Sequence, residues 1–75
     1  MSELRVKATD CSSRRLCRIA RRAGFVVMEG AKLYKIETRA GAFLTTIPRH
    51  SRLKRETVRG IIRVLNEHCA TIVVD

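Results

Sequence analysis

An α+β fold, with two helices packed on one face of a three-stranded antiparallel sheet, is what this 75-residue sequence predicts. Three observations carry the prediction. Two segments repeat apolar residues at helical spacing. Between them lie three short apolar or alternating runs separated by turns that contain glycine. The two apolar stripes then have one sensible place to be buried together, the same face of the sheet. A chain of this length hides roughly 60% of the surface it exposes when unfolded, so the core is thin and the stability modest.

Residues 1–11 read as a polar lead-in with a short strand at Leu4 to Val6. Ser12 or Ser13 caps a first helix, in which Leu16, Ile19, Ala20 and Ala23 form one stripe and Arg14, Arg18 and Arg21 project opposite it. Gly24 supplies the stop. The run 25-FVVME-29 is a first strand, Gly30 a turn, 32-KLYKIE-37 a middle strand, 38-TRAG-41 a second turn and 42-AFLTTI-47 a third strand that Pro48 ends. A second helix starts between Ser51 and Thr57 and places Val58, Ile61, Ile62 and Leu65 on its buried side. Arg55, Arg59 and Arg63 recur every fourth residue as a basic ridge beside that side. The close, 70-ATIVVD-75, reads as a short strand that adds to the sheet edge, pairs with a second subunit or frays. The expected division is a lead-in at 1–11, the domain proper at 12–67 and an extension at 68–75. The α-β-β-β-α layout is similar to that of the double-stranded-RNA-binding fold, and a fold does not settle a function.

Charge is the strongest compositional signal. Sixteen Lys and Arg stand against seven Asp and Glu, a formal net charge of +9. Five arginines fall in 14-RRLCRIARR-22 and six bases between Arg49 and Arg63. Solvated helix faces account for either group alone. They account poorly for the total, because like charge repels itself in a small domain unless a polyanion is a frequent partner, and a nucleic acid fits best. No apolar run nears the ~20 residues that span a bilayer, and the N-terminal residues lack a signal-peptide block, so a cytoplasmic protein with no membrane partner is expected. Cys11, Cys17 and Cys69 are read as reduced structural thiols. A metal set of Cys11, Cys17, His68 and Cys69 lacks any CxxC pair, and no cofactor is implied.

The run from Arg14 to Asn66 resembles the HicA toxins, small bacterial mRNA interferases also called the YcfA-like family. The resemblance rests on 23-AGF-25, the hairpin around 30-GAK-32, 45-TTIPRH-50 and 53-LKRETVRGIIRVL-65. Each motif is short; their order and spacing carry the match over about two thirds of the chain. The resemblance implies metal-free cleavage of messenger RNA, and silencing by a HicB-like antitoxin protein. It also implies a catalytic histidine on the middle strand just after the glycine turn, in segments of the form Gly-Ser-His or Gly-x-Lys-His. Here the Gly-x-Lys-His register reads Gly30, Ala31, Lys32, Leu33, so leucine stands where the resemblance implies histidine.

Strand alternation sharpens the point. Lys32, Tyr34 and Ile36 share one face and Leu33, Lys35 and Glu37 the other, which puts Leu33 in a polar row facing outward. A one-residue slip would bury Lys35 and Glu37 and expose Tyr34 and Ile36. Imidazole exchanges protons near neutrality and leucine exchanges none, so the chain as written is expected to bind RNA without cutting it. A deliberate inactivating substitution and a natural loss both put leucine there. His50, in 48-PRH-50, is the one other candidate for a catalytic role. Lys32, Lys35, Arg49, Lys54, Arg55 and Arg59 are the expected RNA contacts, mostly to phosphates. The alternative is a non-catalytic binding module for structured RNA. A DNA-binding reading that uses 54-KRETVRGIIRVL-65 lacks the preceding helix of a helix-turn-helix.

Overall fold

The computed structural model describes residues 4–9, 11–68 and 70–75. The order is β1 (Leu4–Val6), α1 (Ser13–Arg22), β2 (Val26–Glu29), β3 (Leu33–Glu37), β4 (Phe43–Pro48), α2 (Arg55–Glu67) and β5 (Ile72–Val74). The predicted α+β architecture is what forms: β2, β3 and β4 make an antiparallel sheet with β3 in the middle, and α1 and α2 cover one face of it.

Both ends of α1 follow from local chemistry. The Ser12 hydroxyl accepts the Arg15 N–H at 3.1 Å, giving one of the helix's orphan donors a partner. At the other end Phe25 N–H donates to Ala20 O and Gly24 N–H to Arg21 O, each at 3.0 Å, which is the Schellman pattern. That pattern needs a left-handed residue after the cap, and Gly24 provides it at φ +99. Leu16, Cys17, Ile19 and Ala20 are buried along the inner stripe. On α2 the buried residues are Val58, Ile61, Ile62 and Leu65, as the spacing predicts. Its N-cap is Lys54, whose side chain makes no capping bond.

The β2–β3 hairpin is closed by Gly30, whose N–H donates to Leu33 O at 2.8 Å. A Cβ on residue 30 would also lie 2.8 Å from that oxygen, so the close approach requires glycine. Pairing Glu29 with Tyr34 and Tyr34 with Ile47 fixes the register of all three strands. Tyr34, Ile36 and Ile47 face the helices and are buried. Lys32 stands just outside β3, in the bend before it, and is exposed.

The chain ends depart from expectation. β5 does not extend the three-stranded sheet; it pairs in parallel with β1, matching Leu4 with Ile72 and Val6 with Val74. The Asn66 side chain holds the strand by donating to Ile72 O at 3.0 Å and accepting its N–H at 2.9 Å. Val6, Ala8, Cys11 and Ile72 all enter the main core, so the end segments complete it. The physical reason is area: a domain this thin gains a large share of its burial from a few apolar residues at its ends.

Candidate nucleic-acid interface

Leu33 points away from the helices. It opens β3 opposite Pro48 on β4, on the face that also carries Lys35 and Glu37, and it is neither buried nor packed against the core. Paired residues of an antiparallel sheet share a face, so Val26 (opposite Glu37), Met28 (opposite Lys35) and Phe43 (opposite Glu37) lie on this side too. They are 41%, 48% and 59% exposed, the large apolar side chains most open to solvent among the described residues. Position 33 therefore looks out on a mixed surface, with Lys35 and Thr46 among apolar side chains.

His50 belongs to a different part of the molecule. With Arg14, Arg49, Ser12 and Tyr34 it lines a cleft of about 340 Å³ at the edge between α1 and β3 that does not include Leu33. The segment after β4 is held there by Ser13, 3% exposed. The Ser13 hydroxyl reaches Pro48 O and His50 O, accepts the His50 N–H at 2.6 Å, and the Ser13 N–H donates to His50 O at 3.0 Å. Leu53 N–H adds a bond to Cys11 O at 2.8 Å. Arg49, fixed in this way, stacks its guanidinium over Tyr34, 4.6 Å from the ring centroid. Ser13→Ala strips a buried hydrogen-bond hub and is expected to cost about 1–3 kcal/mol. Urea melts check the loss, and an unchanged midpoint would show that the hub carries no stability.

The six predicted RNA contacts do not form one surface. Lys35 is on the outer sheet face and Lys32 in the bend beside it, whereas Arg49 is at the α1 edge. Lys54 and Arg55 start α2, and Arg59 lines a groove with Arg63, Asn66 and Val74 toward β5. The sheet separates Lys35 from the helices, so the six lie on more than one side of the molecule. What gathers positive charge instead is α1. Arg14, Arg15, Arg18, Arg21 and Arg22 are all exposed, and the first turn carries no acid. The signal was present in the sequence as five arginines in nine residues, 14-RRLCRIARR-22.

Cys11 and Cys17 are both buried. Burial pushes the Cys17 thiol up from its ordinary value against the opposing pull of Arg21, which makes it a poor nucleophile. Cys69 lies outside the described residues, and among the described residues no three His, Cys, Asp or Glu side chains converge on a metal position. No helix among them is long and apolar enough to cross a membrane. Comparison of the chain with family models, curated proteins and solved structures finds no match.

Proposed function

We propose that this chain is an RNA-binding protein of the HicA toxin type, the mRNA-cleaving partner in a toxin–antitoxin pair, whose cleavage is disabled at Leu33. The observation that carries the reading is the outward placement of Leu33 after the Gly30 turn, where the resemblance to the family leads one to expect histidine. Supporting it are the net charge of +9 and the α-β-β-β-α order. The apolar outer face around Leu33, with Met28 and Phe43, is the surface a HicB-like antitoxin would cover, masking position 33 as it binds. A protein working on messenger RNA acts in the cytoplasm.

A non-catalytic module for structured RNA shares the fold and the charge but has no latent activity to restore. Induced expression separates the two. Leu33→His is expected to arrest growth while the parent chain does not, with arrest relieved by a co-expressed HicB-like protein. Harmless expression of folded Leu33→His would favour the binding module.

A further inference from the structure

We infer that the outer face of α1 is a second polyanion site, which holds the phosphate backbone of double-stranded RNA independently of position 33. Arg14, Arg15, Arg18 and Arg22, with Arg5 from β1, line a groove of about 620 Å³. Arg14 and Arg18 also border a second cleft on the other side of the helix, where Arg21 joins them and Glu29 supplies a single opposing charge. The two form a basic ridge with a concave surface on either side. None of the five α1 arginines forms an ion pair among the described residues. Like charges three or four residues apart on a helix destabilise it, by a few tenths of a kcal/mol per pair. Glu29 is the one acid that borders this ridge, on the side of Arg21, so most of the repulsion stays uncompensated within the described chain, and a docked polyanion relieves it.

The residue type and spacing narrow the ligand. The chain carries twelve arginines and four lysines, and α1 uses arginine alone. A guanidinium grips phosphate with two parallel N–H donors, where an ammonium acts as a point charge. Arg14, Arg18 and Arg22 step about 6 Å apart along the axis, and a ten-residue helix is about 15 Å long, on the order of five base-pair steps. No aromatic ring on this face is open for stacking: Tyr34 borders the second cleft but is 7% exposed with Arg49 over its ring, Phe25 packs against the core, and Phe43 is on the opposite side of the sheet. Single strands are held largely by base stacking, and a duplex presents its phosphates with its bases hidden. The duplex is the better match. The inference takes from the proposed function only that RNA is the ligand, and it does not need position 33 ever to have been catalytic.

Binding of a labelled RNA duplex of about 20 base pairs, measured by fluorescence anisotropy across a salt series, tests it. The triple variant Arg14→Gln/Arg18→Gln/Arg22→Gln should lower the steepness of the log–log salt dependence by about 3 and weaken binding roughly tenfold or more. Melting curves confirm that it folds, and the matching triple Lys variant, which keeps the charge, should recover most of the slope. Arg39→Gln, which removes one exposed charge from the turn between β3 and β4, should bind as the parent does. Unchanged affinity and slope in the Gln variant would overturn the inference. So would equal affinity for a single strand of the same length, or displacement of the duplex by polyglutamate at equal charge. Failure of Leu33→His to cleave, with duplex binding lost only on the α1 variant, would overturn the proposed function and leave this site standing.

Discussion

Leu33→His is expected to raise RNA cleavage by about 10²–10⁴-fold over the parent chain, the range that one general acid or base contributes. In metal-free cleavage the ribose 2′-hydroxyl attacks the neighbouring phosphorus and the 5′-oxygen leaves. One group must take a proton and another must return it, while cations steady the charge that builds on the phosphate oxygens. An imidazole at position 33 would stand at the open end of β3, across from Pro48, with the exposed Lys32 next in sequence and Lys35 on the same face. Histidine suits this because its ordinary pKa is about 6.5, so both protonation states are populated near neutrality. His50 occupies a separate cleft, and His50→Ala is therefore expected to leave the gained activity within a few-fold. Gel-based cleavage of an mRNA fragment with chelator present provides the readout. Equal rates for Leu33→His and the parent would show that position 33 does not face the scissile phosphate.

The second large effect separates the two faces of the same strand. Ile36 is fully buried in the middle of β3, between Val27 and Thr45, and Ile36→Ala removes core volume that both helices rest on. Such truncations cost about 2–5 kcal/mol. At about 0.05–0.15 kcal/mol per residue the whole chain is stable by roughly 4–11 kcal/mol, so this one change consumes much of the margin. Leu33→Ala, three residues away on the outer face, should cost less than about 1 kcal/mol, as surface substitutions do. Urea denaturation of the two variants gives the comparison. Similar losses in both would mean that Leu33 is part of the core.

Most of the scaffold was legible because its signals are local. The four residues on the inner side of α2, the Gly24 stop and the alternation of Tyr34 and Ile36 with Lys35 each follow from spacing within one element, and each is in place. The partner of β5 was not legible. Ile72–Val74 could meet any open edge, and its parallel pairing with β1 depends on where the core leaves the two ends. The same limit governs the interface. Sequence shows that Lys35 and Arg59 are exposed cations, but only the fold reveals that the sheet stands between them. The hub at Ser13 was hidden for a related reason. Its partners Pro48 and His50 are 35 and 37 residues away, so a serine that reads as a capping residue instead holds the segment after β4 against α1. The apolar outer face has no local signature, because Val26, Met28 and Phe43 come from two strands and share a face only once β3 is set between them.

The direction of one side chain underlies the whole functional reading, and cysteine labelling measures it. Leu33→Cys and Ile36→Cys, each in a Cys69→Ser background, are treated in their native state with a thiol reagent, and the modified peptides are located by mass spectrometry. Cys11 and Cys17 serve as buried internal references. The account predicts rapid modification at position 33 and protection at position 36 comparable to the two references. Protection at position 33 equal to that at position 36 would contradict it.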